Sequence, residues 1–233
     1  MVEVKIDDNG IAVITFDDGK ANALSPDMLT KLDDAITQVE TEAKAIVLVG
    51  RPERFSAGFD LKLMMAGPES ANALLTQGVK FFGRLFTHPK PIVMACTGHA
   101  IAGGVLLLLC ADHRVGVAGD YKLGLNETAI GMPLPVFALE LAKARLDNRR
   151  LEEATLMAKI YNPEEATAVG YLDEATSADA LVERAVNRAL ALAELAPHAY
   201  AITKAKLRQP CLDFILDTLS EDLASTAKHL GKK

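Results

Sequence analysis

Apolar and polar residues alternate through Val2–Ile6 and again through Ile11–Phe16, on either side of Asn9-Gly10. Alternation with a period of two marks half-buried strands, and Asn-Gly between two such runs is a strong hairpin signal. Ser25-Pro26 then reads as an N-cap followed by a proline at the first helical position, with Met28, Leu29, Leu32, Ile36 and Val39 on one helical face behind it. Ala45–Val49 is a continuous apolar run of strand length, which predicts a strand buried on both faces. The stretch RPERFSAGFDL reads as a loop, and Leu74, Leu75, Val79, Phe82 and Leu85 carry a helix to about Phe86. Pro91–Cys96 predicts another buried strand, Gly103–Cys110 a buried helix and Arg114–Val117 a further strand. Strands that alternate with helices need crossover connections, so the class is α/β.

The pattern changes after about Pro133. Helical spacing dominates Val136 to Arg145, Leu151 to Lys159 and Ala178 to Leu195, with a short helix start at Asn162-Pro163-Glu164-Glu165. From Pro197 two amphipathic stretches remain, around Ile202–Leu207 and Leu212–Leu230. The expected organisation is a core over residues 1–195 and a helical region over 196–233.

Composition narrows the classes. The chain has 233 residues, 50% of them hydrophobic and 24% charged, which is ordinary for a folded globular protein. Its net charge of −6 disfavours nucleic acid and anionic membrane as partners. Three cysteines without a C-x-x-C spacing fit a reducing, cytoplasmic setting. The N-terminal MVEVKIDDNG is strand-like rather than a signal peptide. One run, Pro91 to Ala111, is long and apolar enough to span a bilayer, but Thr97-Gly98-His99 and Gly103-Gly104 interrupt it. A strand, a glycine turn and a helix describe it better.

The common catalytic motifs are absent. There is no phosphate-binding G-x-x-x-x-G-K-[ST] or G-x-G-x-x-G, no H-E-x-x-H and no G-x-S-x-G elbow. No metal site and no separate cofactor are expected. Three segments instead combine small residues with a turn: Phe55-Ser56-Ala57-Gly58-Phe59-Asp60-Leu61, Gly98-His99-Ala100-Ile101-Ala102-Gly103-Gly104, and Gly124-Leu125-Asn126-Glu127-Thr128 followed by Gly131 and Pro133. Small residues at a strand-to-helix turn leave backbone N–H groups accessible. Two such groups converging on one point make an oxyanion hole.

In order and spacing, these segments resemble the crotonase (enoyl-CoA hydratase/isomerase) family over nearly the whole chain. The resemblance implies a spiral of ββα units, a helical C-terminal region that builds homotrimers or dimers of trimers, and an acyl-CoA thioester as substrate. It also implies that the N–H groups of Ala57 and Gly103 hold the thioester oxygen. Ala23, Leu24, Gly58, Phe59, Asp60, Leu61 and Leu106 join Ala57 and Gly103 in the implied CoA-ester site. Family hydratases use two glutamates, one of which falls here at Glu127. The other position is Leu106, inside the uncharged run VLLLL. One carboxylate suffices to move one proton, and GLNET resembles the single-glutamate Δ3-Δ2-enoyl-CoA isomerases. The implied activity is therefore an isomerase with Glu127 as proton shuttle.

Two rivals stay open at the level of sequence. A hydratase would handle water with Glu127 alone or with an acid from elsewhere, such as Asp60, Glu69 or Glu140, and a non-catalytic acyl-CoA-binding relative would keep the fold without turnover. Each residue also has a plainer role. Asp60 can cap a helix, His99 and Asp112 read as structural, and Arg51, Arg54 and Lys62 could meet CoA phosphates or simply be solvated.

Overall fold

In the computed structural model, which describes residues 1–227, β1 (Val2–Ile6) and β2 (Ile11–Phe16) pair antiparallel as their alternation predicts. Gly10 takes the positive φ of 84° that the turn requires. The helix α1 (Pro26–Val39) begins at Ser25, whose Oγ accepts the Met28 N–H at 3.2 Å. It buries all five of the apolar positions named above.

From there the chain repeats one unit. β3 (Ala45–Val49) joins the large sheet, β4 (Glu53–Ser56) starts a small one, and α2 (Leu61–Met65) and α3 (Pro68–Phe86) follow. Next come β5 (Ile92–Cys96) in the large sheet, β6 (Gly98–Ile101) in the small, and α4 (Gly103–Leu109). The third round is β7 (His113–Val117), β8 (Leu123–Gly124) and α5 (Val136–Arg145). This is the ββα spiral expected of the sequence. The remainder is α6 (Leu151–Thr155), α7 (Pro163–Val169), β9 (Glu174–Thr176), α8 (Leu181–Ala193) and α9 (Pro197–Ala227). The strand orders are β1-β2-β3-β5-β7-β9 and β4-β6-β8, and every pair except β1–β2 is parallel.

The central strands β3 and β5 of the large sheet are buried on both faces, which is why they are unbroken apolar runs. Ile46, Leu48, Ile92 and Met94 enter the main core, while Val47, Val49, Val93 and Ala95 face Leu181, Ala185 and Ala189 of α8. On the other side of the core, α9 lays Leu212, Ile215, Leu219 and Leu223 against α3 and α5. Each such side chain contributes about 1.5–3 kcal/mol when fully buried.

Several elements differ from the sequence expectation. The supposed loop 51–61 contains β4, and the small sheet's other strands are no longer, β6 with four residues and β8 with two. β9 returns the helical half of the chain to the large sheet by pairing with β7. α6 stops at Thr155 rather than Lys159, and α8 spans Leu181–Ala193 rather than 178–195. The two C-terminal stretches form one helix that runs through Pro210. Pro210 has no N–H for the Lys206 carbonyl, but Arg208 and Leu212 on either side are both buried and keep the axis continuous. Leu230 lies outside the described residues. The apolar run 91–111 divides into β5, β6 and α4, and no described helix is long and apolar enough to cross a membrane.

Candidate active site

The site begins with the loop 17–24. The Asp18 carboxylate accepts the N–H groups of Lys20, Asn22 and Ala23 at 2.7–2.9 Å. The buried Asn22 amide donates to Phe16 O at 3.0 Å and Phe55 O at 2.9 Å. This fixes residues 21–24 beside the segment 57–60. Leu24 N–H donates to Gly58 O at 2.8 Å, and Asp60 N–H to Leu24 O at 3.3 Å. In such a parallel bridge alternate N–H groups point to opposite sides, so the Phe59 N–H faces away from Leu24.

This geometry corrects one expectation. The Ala57 N–H, expected to be an oxyanion donor, donates to Ala21 O at 3.1 Å. Gly58 N–H is likewise held, by Ser56 Oγ at 3.1 Å. Among the described residues, neither Phe59 N–H nor Gly103 N–H has a hydrogen-bond acceptor. Gly103 is the first residue of α4, where N–H groups have no partner within the helix. A Cβ on Gly103 would stand 3.2 Å from Phe59 N, and one on Gly58 would stand 2.8 Å from Gly103 N. The two free N–H groups are therefore neighbours, and only glycine permits the approach. Ala102, just before them, is held at φ 53°, ψ −125°, a conformation costly for any residue with a Cβ.

Both turns open onto a cavity of about 380 Å³. Ala23, Ala57, Phe59, Leu61, Gly103 and Leu106 line it, together with Glu127. Leu24, Gly58 and Asp60 do not. Leu24 has its side chain in the core and its backbone bonded to the 57–60 segment, and Asp60 caps α2 by accepting Lys62 N–H at 2.9 Å. The far wall was not singled out in the sequence: Ile130, Met132, Pro135 and Phe137 after the glutamate, and Thr226 from α9.

Glu127 is the only titratable side chain among the described residues lining the cavity. It precedes a single 3-10 turn, Thr128–Ile130, and its Oε2 is buried without a hydrogen-bond partner. Burial pushes its carboxyl up to about 7, against the lowering effect of the backbone N–H groups of Glu127 and Asn126. The carboxyl is thus poised to exchange a proton near neutrality. Leu106 stands on the wall where a second carboxylate was absent from the sequence, and Asp60, Glu69 and Glu140 all lie outside the cavity.

Other candidates have structural partners. His99 Nδ1 accepts the Lys122 N–H at 2.9 Å. Asp112 meets Lys204 Nζ at 2.6 Å and Arg208 at 3.1 Å, anchoring α9. Arg51 is engaged by Asp17 at 3.3 Å, and Arg54 and Lys62 are exposed; none of the three lines the cavity. Among the described residues no cluster of side chains could hold a metal ion.

Residues 7–227 match the family model described as enoyl-CoA hydratase/isomerase. The chain belongs to the enoyl-CoA hydratase/isomerase (crotonase) family. It is similar to a solved enoyl-CoA isomerase of Mycobacterium tuberculosis, with 42% identity, a TM-score of 0.91 and coverage of 96% of this chain and 97% of that one. It is also similar to human mitochondrial Δ3-Δ2-enoyl-CoA isomerase, at 26% identity and a TM-score of 0.94, covering 99% and 92% of the two chains. A putative enoyl-CoA hydratase of Thermus thermophilus is 30% identical over 86% of this chain and 81% of its own length. Relatives of this crotonase thus carry both names, and the site's own chemistry must separate them.

Proposed function

We propose that this enzyme is a Δ3-Δ2-enoyl-CoA isomerase. The observation that carries the reading is the solitary Glu127 in an otherwise uncharged cavity. Hydration needs one group to activate water and another to manage the C2 proton. Shifting the double bond needs only one base, which removes a proton from C2 and returns it to C4.

In this reading the thioester oxygen lies between the N–H groups of Phe59 and Gly103. The Glu127 carboxylate takes the C2 proton, the electron pair moves onto the oxygen as a dienolate, and the same carboxyl reprotonates C4 as the double bond settles between C2 and C3. Each N–H donor stabilises the developing charge by roughly 2.7–4 kcal/mol. With Leu106 on the wall, no second carboxylate lines the cavity to activate an attacking water.

The test compares a 3-enoyl-CoA and a 2-enoyl-CoA of equal chain length, with Glu127→Gln alongside. Conjugated thioester should form from the 3-enoyl substrate, with no 3-hydroxyacyl product from the other. Glu127→Gln should lose activity by about 10²-fold or more, the usual scale for a general base, while still binding the CoA ester. Rapid hydration of the 2-enoyl substrate would overturn the isomerase in favour of a hydratase, and tight binding without turnover would favour a non-catalytic role.

A further inference from the structure

The cavity wall beyond Glu127 is completed from the far end of the chain. Thr226, near the end of α9, lines it together with the glutamate's own segment, which supplies Ile130, Met132, Pro135 and Phe137. Asp222 joins the two. Its Oδ2 accepts the N–H of Val136, the first residue of α5, at 2.7 Å. Thr226 stands one turn further along the same helix. Pro135 occupies the cap position of α5 and supplies no capping side chain, so the unpaired N–H of Val136 finds its acceptor on another helix. A carboxylate there also suits the positive end of α5. Leu219 and Leu223, a turn apart on α9 and flanking Asp222 in sequence, are buried and seat this part of the helix.

We infer that Asp222 is a positioning residue that ties the wall 130–137 to α9, and that Thr226 sets the acyl chain length the cavity accepts. The inference rests on the acyl-CoA reading of the cavity. A wall made from two segments over 85 residues apart in sequence keeps its spacing only while both are held, and Asp222, carried by α9, bonds the first residue of α5. Spacing matters because one methylene more or less in an apolar pocket changes discrimination by about 10–200-fold.

The test is calorimetric binding of saturated acyl-CoAs, from butanoyl to hexadecanoyl, to the full-length protein. Saturated chains cannot react, so the result is independent of isomerase or hydratase chemistry. Wild type should show an optimum length. Thr226→Phe should weaken chains longer than that optimum by about tenfold or more and leave butanoyl-CoA unchanged. Asp222→Ala should flatten the length profile, and Asp222→Asn, which keeps an acceptor oxygen, should restore it. A wild-type profile in Asp222→Ala, or equal weakening of every length by Thr226→Phe, would overturn the inference. If Asp222→Ala melts below the assay temperature, Thr226→Phe decides alone. Failure of wild type to bind any acyl-CoA would overturn the acyl-CoA reading itself, and this inference with it.

Discussion

Glu127 shows how one residue trades stability for chemistry. Its carboxyl titrates near 7 in the folded protein against an ordinary 4.5, because burial disfavours the charge. The folded state therefore holds an extra proton between those values. Stability from this group is fully present below 4.5 and is lost as pH rises through 7, where the ionised form costs on the order of 3 kcal/mol. In the proposed reaction activity has the opposite sign, since only the carboxylate can accept the C2 proton. Isomerisation should rise with pH to a plateau with a midpoint near 7. Glu127→Gln should melt about 5–10 °C above wild type near pH 8, with the gap closing near pH 5. Melting curves at the two pH values check this, and a constant gap would mean that the folded carboxyl titrates normally. That Glu127, Gly103 and Leu106 share one cavity was legible through the segments that resemble the family. The free N–H of Phe59 was not, because the direction of an N–H depends on the bridge between Leu24 and Phe59.

At the scale of elements, the turn from β6 into α4 carries the sharpest conflict between local preference and function. Ala102 adopts φ 53° there, and its N–H donates to Gly124 O at 3.0 Å, which fixes the turn against β8. Such strain costs about 1–3 kcal/mol, whereas glycine reaches the same conformation freely at a backbone-entropy cost of about 0.5–1 kcal/mol. Ala102→Gly should therefore stabilise the protein by roughly 1 kcal/mol while the rate of the proposed isomerisation stays within about twofold, because the Gly103 N–H keeps its place. Denaturant titration with parallel kinetics checks it, and destabilisation would mean the turn holds no strain. The long elements around this turn were readable from periodicity. The small sheet was not: β4, β6 and β8 span two to four residues and include Glu53-Arg54, Gly98-His99 and Leu123-Gly124, too short for alternation to register. Their pairing is set by the spiral rather than by their own sequence.

For the whole molecule, the question is what binds the last helix to the spiral. α9 looked like two pieces in the sequence because Pro210 breaks helical rules, and the tertiary reason it survives lies far away in the chain. Asp112, at the end of α4, takes Lys204 and Arg208 at 2.6 and 3.1 Å, with all three side chains under 10% exposed. Arg208 also donates to the carbonyls of Phe86 at 2.8 Å and Ala111 at 3.2 Å, and Arg145 to that of Ala111 at 2.9 Å. Cations thus close the C-terminal end of α4, where they suit the helix dipole. Removing the one carboxylate would leave two buried cations without their counter-charge. Breaking a buried pair in this way costs about 3–5 kcal/mol, far more than the intact pair contributes. Asp112→Ala should lower the melting temperature by roughly 10 °C or more, with the amides of α9 losing hydrogen-exchange protection before those of β3 and β5. Loss of α9 would carry Thr226 away from the cavity, so acyl-CoA affinity should fall in the same variant although Asp112 lies outside the site. Uniform loss of protection across α9 and the large sheet would instead make helix and spiral a single cooperative unit, with Asp112 acting only on global stability.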